Sequence, residues 1–146
     1  MTYHGSCLCG AVRLQADVLE GPYVYCHCQS CRKASGSAFG ANIAVPVAAF
    51  RVTQGDALVG MFESSPGKRR HFCTRCGSPL YTLVGEAPTH VRVRLGCLDD
   101  DYSEPPGAQI FTDDGAAWHR VDDAAPQYPG WPDPAALAIP GSRQAK

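Results

Sequence analysis

The sequence has no excess of either charge: 13 Lys and Arg stand against 14 Asp and Glu, a formal charge of −1. Without a net field there is no general attraction for nucleic acid or an anionic membrane, so a charged ligand must be met by a local cluster. The expected partner is therefore a small molecule. No basic stripe is interleaved with aromatics, which removes the usual single-strand nucleic-acid surface. Long apolar runs are also missing. Nothing approaches the ~20 residues of a membrane span, and Cys7, Cys9, Arg13 and Asp17 occupy the stretch where a secretory signal needs an apolar core. No membrane partner and a cytoplasmic address are the default expectation. There is no internal repeat and no low-complexity block, which excludes solenoids and propellers.

What remains is one domain-sized chain of 146 residues, with 45% hydrophobic residues, 15 Gly and 12 Pro. A chain of this length can bury a core without a metal or disulfide merely to stay folded, so any metal must be explained by position. Short apolar stretches between turn residues predict an all-β fold with few short helices. Strands are expected at Ala11 to Ala16, Tyr23 to His27, Phe39 to Val45, Ala57 to Phe62, Arg70 to Phe72, Leu80 to Val84 and His90 to Gly96, with helical turns at Val47 to Phe50 and Arg32 to Ser35. In the His90 to Leu95 stretch, period 2 sends Val91, Val93 and Leu95 inward and turns His90, Arg92 and Arg94 outward as a solvated row. Arg69, Arg70 and His71 are likewise expected in solvent. Beyond Asp99 the acidic, Pro- and Gly-rich segments predict a surface-hugging tail anchored by Ile110, Phe111, Trp118 and Trp131. The domain is expected over residues 1–135, with a flexible stretch over 136–146.

The eight cysteines carry the chemistry. Without a secretory signal, metal ligation is favoured over disulfides. Cys7-Leu8-Cys9-Gly10 and Cys73-Thr74-Arg75-Cys76-Gly77 are close pairs each followed by glycine. A residue free to take φ > 0 there lets backbone N–H groups point at thiolate sulfurs. Two such turns make a closed four-thiolate site of structural type. Cys26-His27-Cys28-Gln29-Ser30-Cys31 has no such glycine. Its three thiols supply three ligands and leave a fourth position open, the arrangement of catalytic zinc. Competing readings are Cys97 or His27 as fourth ligand, a redox disulfide within the trio, and grouping by chain order. The glycine asymmetry favours the first grouping. His27 faces away from Cys26 and Cys28 on a regular strand, and Cys97 sits in an apolar strand end like a small buried hydrophobe.

Gly5-Ser6-Cys7-Leu8-Cys9-Gly10, Cys26-His27-Cys28-Gln29-Ser30-Cys31-Arg32-Lys33 and Phe72-Cys73-Thr74-Arg75-Cys76-Gly77-Ser78 resemble, in order and spacing, the zinc-binding glutathione-dependent formaldehyde-activating enzyme family. The likeness runs from Gly5 to about Trp131. It implies a β-tent fold of antiparallel sheets and two zinc ions per chain. One ion would be structural, on Cys7, Cys9, Cys73 and Cys76; the other would occupy an open catalytic site on Cys26, Cys28 and Cys31. The implied activity is that of a carbon–sulfur lyase joining glutathione to formaldehyde as S-hydroxymethylglutathione. A thiol-binding module or carrier is the alternative, because the addition also proceeds without a catalyst. Glutathione brings two carboxylates, and Arg32 and Lys33, just beyond Cys31, are the nearest obvious partners for them.

Overall fold

Frequent turns break the chain into short pieces, and the computed structural model, which describes residues 1–144, shows ten strands and one α-helix among them. The elements are β1 (Tyr3–Ser6), β2 (Arg13–Ala16), β3 (Glu20–Cys26), α1 (Gln29–Ser35), β4 (Gly40–Pro46), β5 (Phe50–Gln54), β6 (Val59–Ser65), β7 (Lys68–Cys73), β8 (Pro79–Val84), β9 (His90–Arg94) and β10 (Ala108–Ile110). The fold is all-β, as the composition predicts. A three-stranded sheet has the order β1-β2-β5 and a seven-stranded sheet the order β10-β3-β4-β9-β8-β7-β6. Pairing is antiparallel except for β10 on β3, which is parallel. The helical turn expected near Val47 is a 3-10 turn over Val47–Ala49, and the turn at Arg32 begins three residues earlier as α1.

Alternation decides which face of the large sheet meets the small one. Ile43 lies opposite Val93, and Val45 opposite Val91. These four side chains, each at most 3% exposed, join Val12, Leu14, Tyr81 and Cys97 in the main core. A second cluster of Val24, Cys26, Cys31, Ala108, Ile110 and Ile139 lies around the cysteine trio.

The register also lines up the opposite face. Asn42 pairs with Val24 and Arg94, Arg92 with Ala44 and Thr82, and Thr82 with Arg70. Side chains i and i+2 share a face, so Lys68, Arg70, Arg92 and Arg94 stand on one side of four neighbouring strands. The expected solvated row is therefore corrected: Arg94 is only 6% exposed, and Arg92 and Arg70 are half-buried. The reason is non-local, because this face is covered in part by segments from the chain's second half, including Trp131 and Arg143.

Those segments explain a second difference. Ile139 is 4% exposed, and Arg143 donates to Ser65 Oγ at 3.1 Å and to the Pro66 carbonyl. Residues 136–144 thus run against the sheet instead of leaving it, while Ala145 and Lys146 lie outside the described residues. Of the four expected anchors, Ile110 is buried and Phe111 packs edge-on to Trp131 at 5.3 Å. Trp118 is 73% exposed and does not anchor the tail.

Candidate functional site

The two glycine-marked knuckles meet at one end of the small sheet. Cys7 follows β1, and its turn is closed by Gly10 N–H donating to the Cys7 carbonyl at 2.9 Å, with Gly10 at φ 75°. Cys73 ends β7, and Gly77, at φ 81°, donates to its carbonyl at 2.7 Å. Both glycines hold the left-handed conformation that the sequence argument requires of them. The turns bring the sulfurs of Cys7, Cys9, Cys73 and Cys76 within 4.8 Å of one another. The Cys7–Cys9 and Cys9–Cys73 sulfur separations are 3.5 and 4.0 Å. They straddle the edge of about 3.8 Å that a tetrahedron with Zn–S bonds of ~2.3 Å requires. The Val12 N–H points at Cys7 Sγ at 3.2 Å, and the Ser78 hydroxyl and backbone amide bring the Cys76 thiol down to about 5. Such donors favour thiolate over thiol. The donor set fits a tetrahedral zinc ion with no position left open.

Bracing comes from the β5–β6 connection. Gln54 Nε2 donates to the Gly10 and Ala11 carbonyls, and Thr74 donates through both N–H and Oγ1 to the Leu58 carbonyl. One loop thus steadies both knuckles.

The trio is built on a strand end and a helix start. Cys26 closes β3, Cys28 caps α1, and Cys31 lies in its first turn, with Cys28 Sγ accepting from the Cys31 N–H at 3.3 Å. Gly36, at φ 67°, ends the helix by donating to the Arg32 carbonyl at 2.8 Å. The three sulfurs also lie within 4.8 Å of one another. Hydrogen bonds from Cys26 and Cys28, assisted by the nearby charges of Lys68 and Arg70, hold Cys31 far below the ordinary thiol range. A three-sulfur donor set on a divalent ion leaves one position for an outside ligand. No fourth Cys, His, Asp or Glu joins the group among the described residues.

Cys97 and His27 are accounted for elsewhere. Cys97 is 7% exposed, donates to the Arg94 carbonyl at 3.1 Å and is pushed up to about 12 by burial. His27 is fully buried on the other side of its strand, with Nε2 2.8 Å from Gln109 Oε1. Gln109 Nε2 donates to the Asp122 carbonyl and carboxylate, which fixes its oxygen as the acceptor and places the proton on His27 Nε2. The role is structural. Gln109→Leu strands that proton in the interior and is expected to cost roughly 2 kcal/mol in urea unfolding, with zinc content unchanged.

Beside the trio lies a pocket of about 230 Å³, whose wall includes Asn42, Lys68, Arg70, Arg92, Arg143 and Trp131. The larger pocket of about 520 Å³ is bordered by Cys7, Phe39 and Cys97, next to the four-cysteine group. The smaller one is the chemical candidate, because the incomplete ligand set opens into it. Arg32 and Lys33, the nearest cations in sequence, do not line it. Arg32 donates to the Asp114 carbonyl at 2.9 Å, and Lys33 is exposed on the helix. The cations that do line it escape sequence reading because strand register and the returning C-terminal segment bring them together. The only local signal is the i, i+2 spacing of Lys68 with Arg70.

A protein of Halomonas elongata named "Putative glutathione-dependent formaldehyde-activating enzyme" is 30% identical over 145 residues, covering 91% of this chain and 90% of the relative. An uncharacterized lyase of Schizosaccharomyces pombe is 37% identical over 84 residues, 54% of this chain and 56% of the relative. The crystal structure of a Rhodobacter sphaeroides protein shares the fold with a TM-score of 0.59 at 21% identity, over 68% of this chain and 91% of that one. The sequence profile of the glutathione-dependent formaldehyde-activating enzymes matches residues 2–114. By that match and the full-length likeness to the Halomonas protein, the chain belongs to the glutathione-dependent formaldehyde-activating enzyme family.

Proposed function

We propose that the protein is a zinc-dependent carbon–sulfur lyase that joins glutathione to formaldehyde at the Cys26, Cys28 and Cys31 site. The observation that carries this reading is the three-sulfur group opening into a pocket with no fourth protein ligand beside it among the described residues. Zinc bound there supplies an open coordination position and lowers the proton affinity of a thiol held on it. Cys26, Cys28 and Cys31 provide the sulfur donors, and α1 fixes the spacing of the last two. Buried Cys26 and Cys31 keep water from the inner side of the group, while half-buried Cys28 leaves the outer side accessible. Arg32 takes a positioning role, because it holds the Asp114 carbonyl at the pocket wall. Lys33 stays outside the wall as an exposed cation that can meet an outer carboxylate.

The test is the rate of S-hydroxymethylglutathione formation and breakdown, followed by exchange spectroscopy against the uncatalysed rate. Glutathione-dependent acceleration that disappears on chelation of the labile metal is expected. An unchanged rate at every glutathione concentration rejects the enzyme. A carrier is the second reading, favoured by one observation: among the described residues Asp114 is the only acidic residue in the pocket wall and no histidine lines it. Zinc-dependent binding of glutathione without turnover would select it.

A further inference from the structure

Sequence spacing singles out Arg32 and Lys33 as anion partners, yet the cations facing the trio come from three other places. Lys68 and Arg70 lie on β7, Arg92 on β9, and Arg143 near the end of the chain. A smaller neighbouring cavity of about 50 Å³ is walled by the same four cations together with Asn42 and Trp131. None of the four has a carboxylate in salt-bridge range among the described residues; the ion pairs there are Arg51–Asp17, His4–Asp100 and His90–Glu20. Their protein acceptors are neutral: Ser64 Oγ for Arg70, the Pro140 carbonyl for Arg92, and Ser65 Oγ for Arg143. Arg70 Nη2 and Asn42 Oδ1 are buried with no partner among the described residues. An unpaired buried donor on a guanidinium is costly unless an acceptor arrives.

The charge count separates neutralising the cysteines from binding something else. Three thiolates holding a divalent ion retain a single negative charge, and Asp114 adds one more. Four cations exceed both by two positive charges. Arg70 and Arg92 flank Thr82 on the same sheet face, an arrangement that like charges oppose unless an anion sits between them. Burial lowers Lys68, and it takes Arg92 down to about 10, which leaves the Arg92 guanidinium cationic at neutral pH.

We propose that Lys68, Arg70, Arg92 and Arg143 form an anion-recognition wall beside the three-cysteine group, selecting thiols that carry a carboxylate on the same molecule. The inference rests on the thiol-binding reading of the trio and names its specificity determinants. Arg70 and Arg143 offer guanidinium donors to the carboxylate, Lys68 a point charge, and Asn42 Oδ1 an acceptor for a neighbouring N–H.

The experiment is calorimetric titration of the zinc-loaded full-length protein with two matched pairs, glutathione against its diethyl ester and 3-mercaptopropionate against 3-mercaptopropionamide. The carboxylate form of each pair is expected to bind roughly 10- to 100-fold more tightly. Arg143→Gln and Lys68→Met are expected to erase that difference by weakening only the carboxylate forms, with two zinc ions per chain retained as the check on folding. Charged and uncharged forms binding within twofold of each other in the unmodified protein would overturn the proposal. So would variants that weaken both forms equally, or a failure of all four thiols to bind. Discrimination within the mercaptopropionate pair without any binding of glutathione would keep the wall and remove glutathione as its ligand. Equal binding of glutathione and its ester would do the reverse.

Discussion

Cys73→Ser is expected to leave no stably folded protein. Cys73 is fully buried where β7 ends, between Cys9 and Cys76 in the closed four-sulfur group. Its backbone also closes the second knuckle, accepting from Gly77 and donating to the Ser78 carbonyl at 3.0 Å. Structural zinc sites contribute roughly 10–16 kcal/mol of apparent binding energy in small peptides, comparable with the roughly 5–15 kcal/mol that holds a whole domain together. A site that loses its ion along with one of its four thiolates therefore loses a quantity as large as the total stability. The small sheet is most exposed to that loss, since β1 and β2 lead into and out of the first knuckle and the β5–β6 loop leans on both. Circular dichroism and urea unfolding measure the effect; a cooperative transition within about 1 kcal/mol of the unmodified protein would contradict a structural role.

Cys28→Ser is expected to give the opposite phenotype: a folded protein that holds one zinc ion instead of two and loses at least ~100-fold in glutathione-dependent rate. Folding survives for a local reason. The Cys28 sulfur caps α1 by accepting from the Cys31 N–H, and a serine oxygen at an N-cap does this at least as well. Cys28 is also the least buried of the trio, so the exchange opens no cavity. Metal analysis alongside thermal unfolding separates the outcomes. Equal damage from Cys28→Ser and Cys73→Ser would abolish the division between a closed group and an open one.

The grouping of the cysteines into four and three is legible in the sequence because it rests on local chemistry. A glycine after a cysteine pair allows a positive φ within the same few residues, and Gly10 and Gly77 adopt it. Where the trio lacks that glycine the chain enters a helix instead, which orients Cys28 and Cys31 by capping. The alternation of His90 to Arg94 was equally readable, and Val91 and Val93 are core residues as it predicts. What covers the other face was not readable. Nothing near Arg92 in sequence indicates that Lys68, Arg70 and Arg143 stand beside it, because strand order and a returning C-terminal segment put them there. The short strands β1, β5 and β10 leave no signal for a related reason: Tyr3–Ser6 and Ala108–Ile110 are too short to establish a period, and Phe50 reads as the end of the turn that begins at Val47. Trp118 shows the converse, a large aromatic expected to anchor the tail that stays exposed, with an edge contact to His119 at 6.1 Å.

The most direct measurement is a crystal structure of the zinc-loaded protein with glutathione. The expected result is a glutathione sulfur at ~2.3 Å from an ion held by Cys26, Cys28 and Cys31, with a second ion enclosed by Cys7, Cys9, Cys73 and Cys76. A fourth protein ligand on the ion at the trio, whether Cys97, His27 or another side chain, or glutathione bound away from that ion, would contradict it.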